Sequence, residues 1–268
     1  MKIVKKSNQI NKYCINNHQK IGFVPTLGSL HKGHISIIKK AKKENKKCIV
    51  SIFLNPKQFN KKKDLLSYPN NIKRDIKLCK KNGVDILFTP NYQQVYRWKN
   101  KKSKFPIIKN IMEQKYRKGH FTGVIKVMEK LLNIIKCHKI YLGEKDFQQL
   151  VIIKNFININ KFKTKIVNCK TIRNKNMLAY SSRNELLSNS DIIEAGSISN
   201  FIIKLKKKNK KYNLVRKKII SYLKSKKIKY DYIENFNITN FKTTNTLNKK
   251  SRIFIAFYIN KIRLIDNY

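Results

Sequence analysis

A strand, a turn with two glycines and two histidines, and an amphipathic helix follow one another near the start of the chain. The apolar run 21–24 predicts the strand, and Ile35, Ile38 and Ala41, spaced three residues apart, predict the helix. The turn between them reads Pro-Thr-Leu-Gly-Ser-Leu-His-Lys-Gly-His. Because such a turn directs backbone N–H groups and the positive end of the helix toward one point, it predicts a site for an anionic phosphate.

The two histidines of this turn, His31 and His34, are spaced to lie on one side of the turn and of the first helical residues. Gly28 and Gly33 allow the backbone to approach a ligand closely. An H-x-G-H sequence after a first strand resembles the signature of the nucleotidylyl-transferring superfamily, in which two imidazoles contact the phosphates of ATP. The alternative is an ordinary turn with two surface histidines, and the strand and helix on either side favour the ATP site.

The following segments repeat the order of strand and helix. The apolar run 48–54 predicts a strand buried on both faces, 71–82 predicts a helix ended by Gly83, and 84–88 predicts a third strand. This β-α-β-α-β order is typical of a doubly wound parallel sheet. The other predictions for this region are a leading helix over 2–19, a polar loop over 64–69, irregular chain over 92–114, a helix from 124 to 135, strands over 140–142 and 166–169, and a helix after 149.

A second, smaller domain is predicted from about residue 188 onward. Of the eight glycines, only Gly196 follows Gly143, and no proline follows Pro106, so the composition changes there. The patterns predict a small α+β domain, which we hypothesise closes over the site. Its elements are helices over 191–208 and 214–226 and strands over 230–233, 252–258 and 262–265, with a hairpin turn at 260–261.

The chain is strongly basic, with 62 Lys and Arg against 14 Asp and Glu and a formal net charge of +48. Such a charge would normally suggest nucleic acid or an anionic membrane surface as a partner. The lysines are spread along the whole chain without a nucleic-acid motif, so we interpret them as compositional bias on solvated faces. No run of about 18 apolar residues and no apolar signal core occurs, so neither a membrane span nor a targeting segment is predicted.

The cysteines predict a reducing compartment. Five cysteines lie far apart in the sequence, with no C-x-x-C pair, at Cys14, Cys48, Cys79, Cys137 and Cys169. This spacing fits neither a zinc site nor a disulfide framework. We therefore expect reduced thiols in the core of a cytoplasmic protein.

Polar side chains follow the predicted strands at their carboxyl ends, where open α/β sheets bind ligands. Gln58 follows the second strand and is placed to reach a polar substrate. After 140–142, Lys145 could neutralise a phosphate, Asp146 could bind a ribose hydroxyl or a metal, and Gln149 could hold a hydroxyl or carboxylate. The alternative for each is an ordinary loop or first-turn helix residue.

A third polar group combines two hydroxyls with a guanidinium. Ser181, Ser182 and Arg183 follow one another and could form a compact anion clamp. Because Ser-Ser-Arg is common in sequences, this group gains weight from occurring together with the other motifs.

These motifs, together with Arg-Lys-Gly-His-Phe-Thr-Gly-Val at 117–124, resemble the pantothenate synthetase family in order and spacing over essentially the whole chain. The resemblance implies a Rossmann-like ATP domain over 1–172, a C-terminal lid domain over 173–268, and a homodimer. It implies ATP-dependent joining of pantoate and β-alanine through a pantoyl adenylate, with release of AMP and pyrophosphate. Mg²⁺ is expected with the ATP, and Asp75 is a candidate to contact it.

By position, the resemblance also assigns individual roles. His31, His34 and Lys145 would be catalytic, with His34 as the proton donor. The predicted pantoate residues are Asn55, Gln58 and Gln149, with Gln58 also near β-alanine. The predicted ATP residues are Leu27, Gly28, His31, His34, Gly143, Glu144, Lys145, Asp146, Ile172, Tyr180, Ser181, Ser182 and Arg183. The chain departs from the family where Leu27 replaces Met, Asn176-Met177 replaces Asp-Gly, and Tyr180 replaces an aliphatic residue.

The expected chemistry agrees with these residue types. A substrate carboxylate is already ionised, so the first step requires charge stabilisation rather than an enzymatic nucleophile. The second step is attack by a neutral amine on an acyl adenylate that water would destroy, which is the reason for a closing lid.

Two other functions stay open at this point. One is transfer of AMP to a different, phosphorylated acceptor; against it, Gln58 and Gln149 are neutral amides, which suit a small hydroxy acid. The other is nucleic-acid binding, which the charge suggests and which would weaken steeply with salt.

Overall fold

A computed structural model of the chain describes residues 1–17, 20–60, 62–99 and 103–268. The chain forms two compact units, Met1–Lys170 and Thr171–Tyr268. The assignment of 1–172 and 173–268 as functional domains stays a prediction.

Six strands form the sheet of the first unit: β1 (Lys2–Val4), β2 (Ile21–Thr26), β3 (Lys47–Ile52), β4 (Ile86–Phe88), β5 (Lys139–Gly143) and β6 (Lys165–Cys169). Their order is β1-β4-β3-β2-β5-β6, and neighbouring strands pair in parallel. The chain therefore moves outward from β2 in two directions, first through β3 and β4 and later through β5 and β6. This doubly wound arrangement confirms the predicted α/β fold class.

Eight helices are described in the first unit: α1 (Ser7–Asn17), α2 (Lys32–Glu44), α3 (Lys62–Leu66), α4 (Ile72–Lys81), α5 (Tyr92–Tyr96), α6 (Glu113–Tyr116), α7 (His120–Ile134) and α8 (Phe147–Ile159). α7 shows why these segments are helical, because its apolar residues recur every three or four positions and face the core. Among them, Val124, Met128, Leu131 and Leu132 are buried. Gly83 follows α4 with φ +70°, as expected of a glycine that ends a helix.

Three local predictions differ from the structure. The leading helix begins only at Ser7, because Lys2–Val4 pairs as a strand with β4; residues 18–19 of that prediction lie outside the described residues. The predicted loop at 64–69 includes part of the short helix Lys62–Leu66. The predicted irregular segment 92–114 includes α5 and the start of α6, and its residues 100–102 lie outside the described residues.

The second unit contains α9 (Asn189–Lys208), α10 (Tyr212–Ser225) and an antiparallel sheet of β7 (Tyr230–Asn237), β8 (Ser251–Ile259) and β9 (Ile262–Asn267), in that order. All five predicted elements are present. Asn260 forms the β8–β9 turn with φ +52°. Arg173 holds the start of this unit to β9, because its guanidinium bonds both carboxylate oxygens of Asp266 at 2.6 and 3.0 Å.

All five cysteines are free and buried, which confirms their predicted place in the core. Within the described residues, no helix is both long enough and apolar enough to cross a membrane.

Candidate active site

The turns after β2 and β5 lie at the same edge of the sheet. The two strands pair in parallel, with Phe23 opposite Ile140, so their carboxyl ends are adjacent. The histidine turn follows β2, and a 3₁₀ turn, Glu144–Asp146, follows β5. The direction of the sheet order changes between these strands, and that is where ligands bind in open α/β sheets.

The two histidine rings of the first turn are fixed by the start of α2. His31 is the N-cap, and its Nδ1 accepts a hydrogen bond from the backbone N–H of Gly33 at 3.2 Å. Nδ1 of His34 accepts one from the backbone N–H of His31 at 3.4 Å. A neutral imidazole that accepts at Nδ1 carries its proton on Nε2. Both side chains are therefore hydrogen-bond donors at Nε2.

The surroundings keep both rings neutral. Burial, the neighbouring His34 and then Lys145 lower the pKa of His31 to about 2. Burial lowers the pKa of His34 to about 4, and Asp146 opposes this while Lys145 adds to it. The effects of Lys145 and Asp146 on the rings show that the two turns are electrostatically coupled. The structure thus brings together four predicted site residues: His31, His34, Lys145 and Asp146.

Helix α4 supports the histidine turn from the protein interior. Oδ1 of the fully buried Asp75 accepts a hydrogen bond from the backbone N–H of Leu30 at 2.8 Å, and Arg74 donates to the Leu30 carbonyl at 3.1 Å. Gly28 has φ +94°, and a Cβ there would lie 3.2 Å from Asp75 Oδ2. The turn therefore requires a residue without a side chain at this position.

The side chains of the described residues do not by themselves form a complete metal-binding site. No cluster of three or more His, Cys, Asp or Glu side chains that could hold a metal ion occurs within residues 1–17, 20–60, 62–99 and 103–268. Mg²⁺ often takes only one or two protein carboxylates and completes its shell with phosphate oxygens and water. The half-exposed carboxylate of Asp146 fits that arrangement. Asp75, which is buried and bonded to Leu30, does not fit the metal contact predicted for it.

Asn55 and Gln58 form a linked pair of amides after β3. Asn55 Nδ2 donates to Gln58 Oε1 at 3.3 Å and to the Gly123 carbonyl at 3.2 Å. Asn55 Oδ1 accepts from the Lys57 backbone N–H at 3.2 Å and from the Tyr96 hydroxyl at 2.8 Å. Each polar atom of the Asn55 side chain is thus bonded within the protein, and Asn55 orients Gln58. Among the described residues, Nε2 of Gln58 donates no hydrogen bond, so the Gln58 amide is the one suited to a ligand.

Helix α7 packs closely against these amides. A Cβ on Gly123 would lie 2.1 Å from the carbonyl oxygen of Lys57, so only glycine allows this approach. At the first residue of α7, the His120 ring bonds to the carbonyl oxygen of Gln58 through Nδ1 at 2.7 Å. His120 belongs to the Arg-Lys-Gly-His motif, from which the sequence alone predicts no role for it.

Other predicted residues lie close by in sequence. Gly143 ends β5, and Glu144 lies in the 3₁₀ turn with Lys145 and Asp146. Gln149 is half-buried in the first turn of α8.

Leu27, which is half-buried, lies in the histidine turn of the first unit, whereas the other predicted ATP residues, Ile172, Tyr180, Ser181, Ser182 and Arg183, belong to the second unit. The backbone N–H of Tyr180 donates to the Ile172 carbonyl at 3.0 Å. Ser181 caps the 3₁₀ turn Ser182–Leu186 by accepting from the Arg183 backbone N–H at 3.3 Å. Within this unit these residues therefore form one local group. Met177 adopts φ +69°, a conformation that favours glycine.

Comparisons with known proteins agree along the whole chain. The family model described as Pantoate-beta-alanine ligase matches residues 2–268. The pantothenate synthetase of Francisella tularensis subsp. novicida strain U112 is 42% identical over 267 residues, which are 99% of this chain and 95% of that protein.

Two solved structures share the fold. The pantothenate synthetase of Thermus thermophilus superposes with a TM-score of 0.92 at 27% identity, over 100% of this chain and 99% of the other. A pantoate-beta-alanine ligase of Francisella tularensis, complexed with beta-gamma ATP and beta-alanine, has a TM-score of 0.83 at 41% identity, over 100% and 97%.

Proposed function

The chain belongs to the pantoate–β-alanine ligase family, and from this premise we propose how its residues carry out the reaction. The protein is an ATP-dependent ligase that joins pantoate to β-alanine. The observation that carries our mechanism is the pair of neutral imidazoles, each with its proton on Nε2, beside Lys145. Such a site stabilises negative charge on phosphate without adding two more cations to a strongly basic protein.

In the first step, a carboxylate oxygen of pantoate attacks the α-phosphorus of ATP, and the bond to the bridging oxygen breaks. Pyrophosphate leaves, and pantoyl adenylate remains. Nε2 of His31 and His34 donate hydrogen bonds to the phosphate oxygens, and Lys145 supplies a positive charge. Donors of this kind, oriented before the reaction, are among the largest contributions to catalysis. His34 therefore acts as a hydrogen-bond donor, because at neutral pH its ring carries a single proton.

The amides hold the acceptor. The Gln58 amide binds pantoate, and Asn55 fixes the position of that amide through the 3.3 Å hydrogen bond. We assign Gln149 to pantoate as well, since it follows Lys145 and Asp146 by only a few residues. Asn55 was predicted to hold pantoate directly; its four internal bonds support a positioning role instead.

Mg²⁺ bound to ATP would neutralise part of the phosphate charge, and Asp146 is the carboxylate that would hold it. The roles of Leu27, Gly28, Gly143, Glu144, Ile172, Tyr180, Ser181, Ser182 and Arg183 in ATP binding, the lid function of the second unit, and the homodimer remain predictions from the family resemblance. We place the protein in the cytoplasm, and five buried free thiols support a reducing compartment.

One assay tests the reaction. AMP formation from ATP is measured with pantoate and β-alanine present, and then with each omitted in turn. We expect sustained AMP formation only in the complete mixture. Exchange of labelled pyrophosphate into ATP should require pantoate and should proceed without β-alanine. Exchange that does not depend on pantoate would contradict the proposal.

A further inference from the structure

The orientation of the Asn55 amide is fixed by two backbone groups that cannot exchange roles. The carbonyl oxygen of Gly123 only accepts hydrogen bonds, so the Asn55 atom 3.2 Å from it is the amide nitrogen, Nδ2. The backbone N–H of Lys57 only donates, so the Asn55 atom 3.2 Å from that nitrogen is the amide oxygen, Oδ1. If the amide were turned by 180°, both contacts would join like groups. The buried Asn55 side chain therefore has one orientation.

The fixed Asn55 amide determines which end of the Gln58 amide is left for a ligand. Nδ2 of Asn55 also donates to Gln58 at 3.3 Å, and because Nδ2 cannot accept, the Gln58 atom that it faces is the oxygen, Oε1. The nitrogen of the same amide, Nε2, is then the atom that remains for another partner. Gln58 thus offers an N–H donor, which selects a ligand atom that accepts, such as a hydroxyl or carboxylate oxygen.

Tyr96, the last residue of α5, supplies the side-chain hydroxyl in this arrangement. The hydroxyl lies 2.8 Å from Oδ1 of Asn55, and because Oδ1 carries no proton, the hydroxyl is the donor. Burial, followed by Tyr92, raises the pKa of Tyr96 above its ordinary value of 10.0, although the bond to Asn55 opposes this. The hydroxyl therefore keeps its proton, and with it the hydrogen bond to Asn55, throughout the neutral pH range.

The Tyr96 ring is held in place by contacts that do not involve its hydroxyl. Nζ of Lys57 lies 4.2 Å from the centroid of this ring, a distance at which a cation is attracted to the aromatic face. The rings of Tyr92 and Tyr96 lie with their centroids 4.6 Å apart. Lys57 belongs to the 3₁₀ turn Pro56–Gln58, so the ring contacts the same turn that carries the Gln58 amide. Removal of the hydroxyl alone therefore leaves the position of the ring unchanged.

We propose that Tyr96 is a positioning residue for pantoate and acts through Asn55 on Gln58; this rests on the proposed function, in which the Gln58 amide binds pantoate. The hydroxyl donates one of the two hydrogen bonds that hold Oδ1 of Asn55. Without it, Oδ1 keeps only the bond from the Lys57 backbone, which belongs to the same short turn. The Asn55 amide is then free to rotate, and Nε2 of Gln58 faces the substrate for a smaller fraction of the time.

The first experiment compares Tyr96→Phe with a matched control. Tyr96→Phe should raise KM for pantoate about 3- to 10-fold, the effect of one net hydrogen bond, and should leave KM for ATP and kcat within about twofold. Tyr92→Phe, on the same helix, removes a hydroxyl that has no hydrogen-bond partner among the described residues, and it should change neither constant. Thermal unfolding checks that both variants keep the fold. An unchanged KM for pantoate in Tyr96→Phe, or an equal rise in KM for pantoate and ATP, would overturn the proposal.

The second experiment tests whether Tyr96 acts through Gln58. Gln58→Met keeps the length of the side chain but removes the amide, and it should raise KM for pantoate by itself. If Tyr96 acts through that amide, adding Tyr96→Phe to Gln58→Met should raise KM for pantoate no further. The same fold-increase in both backgrounds would show that Tyr96 acts by another route, and the proposal would fail.

The same measurements distinguish failure of this proposal from failure of the proposed function. If Gln58→Met leaves KM for pantoate unchanged, the assignment of Gln58 to pantoate is wrong, and the positioning role of Tyr96 is wrong with it. If wild type shows no pantoate-dependent pyrophosphate exchange, the proposed function itself is contradicted, whatever the variants of Tyr96 do. A higher KM for pantoate in Gln58→Met with none in Tyr96→Phe would leave the proposed function intact and overturn only the role of Tyr96.

Discussion

The imidazoles of His31 and His34 lie with their ring centroids 4.0 Å apart, and the backbone fixes the proton of both rings on Nε2. The same hydrogen bonds cap helix α2, so one local structure both ends the turn and selects the tautomer. In this turn the H-x-G-H sequence therefore produces two neighbouring Nε2 donors, with the helix starting at the second of its four residues.

The two functions of His34 can be separated by substitution. In His34→Asn, the side-chain oxygen can replace Nδ1 as the acceptor of the His31 N–H, but the donor at the position of Nε2 is lost. We expect pantoate-dependent pyrophosphate exchange to fall about 100-fold, as for removal of one donor to a developing charge. Thermal unfolding should change little, because the cap is kept. Near-normal exchange in this variant would contradict the assigned role.

His34→Gln retains both functions in part. Its amide N–H can approach the position of Nε2, and Gln at the third helical position can accept from the His31 N–H, as in a capping box. It should keep more activity than His34→Asn, with a similarly small change in stability. Activity and melting temperature are measured on the same preparations.

Buried neutral histidine makes the stability depend on pH. Burial, followed by Arg117, lowers the pKa of His120 from 6.5 to about 4 in the folded protein. Below pH 6.5 the unfolded chain binds a proton that the folded protein excludes, so stability falls as the pH falls through this window toward 4. The slope from this group approaches about 1.4 kcal/mol per pH unit. Urea unfolding at pH 7 and pH 5 measures the loss, which should be smaller in His120→Asn.

Variants of Asp75 can distinguish support of the histidine turn from binding of a metal ion. Asp75→Asn keeps an acceptor for the Leu30 N–H, whereas Asp75→Ala leaves that buried N–H without one. We expect Asp75→Ala to lose about 1–3 kcal/mol of unfolding free energy and to bind ATP more weakly. Asp75→Asn should change the Mg²⁺ dependence of the reaction little. If Asp75→Asn needed a much higher Mg²⁺ concentration for half-maximal activity, the result would support the predicted contact between Asp75 and the metal ion.

Local patterns were sufficient to predict most of this fold. Continuous apolar runs identified the strands on either side of the histidine turn, apolar residues three or four positions apart identified the helices, and glycine marked the helix end at Gly83. β1 was missed because a strand of three residues has little pattern of its own, and its partner is distant in sequence: Ile3 lies opposite Leu87. α3 was missed because its five residues have no buried side chain to give a period.

The sequence predicted those parts of the site in which the type of side chain indicates its chemical role. The link between His31 and Lys145 follows from two neighbouring strand ends, and in the structure Lys145, after burial and His34, lowers the pKa of His31. The role of Asn55 could not be read from its position, because an amide looks the same in sequence whether it bonds a ligand or its own chain. His120 was missed for a related reason. Its partner is the backbone carbonyl of Gln58, and a backbone partner leaves no residue type to recognise.

The close approach of α7 to the amide pair gives the last prediction. In Gly123→Ala, the added Cβ would lie 2.1 Å from the Lys57 carbonyl oxygen, so the helix must move away from the 56–58 turn. The gain of about 1 kcal/mol in helix propensity from Ala cannot offset a displaced backbone. Because Asn55 donates to the Gly123 carbonyl, the same movement releases Asn55 and then Gln58.

We therefore expect Gly123→Ala to lower the melting temperature and to raise KM for pantoate more than KM for ATP. Thr122→Ala, one residue earlier on the same helix, is the control and should change neither constant strongly. Thermal unfolding and initial rates at varied pantoate and ATP decide the question. An equal rise in both KM values would mean that α7 supports the whole site; an unchanged KM for pantoate would mean that the amides do not depend on this contact.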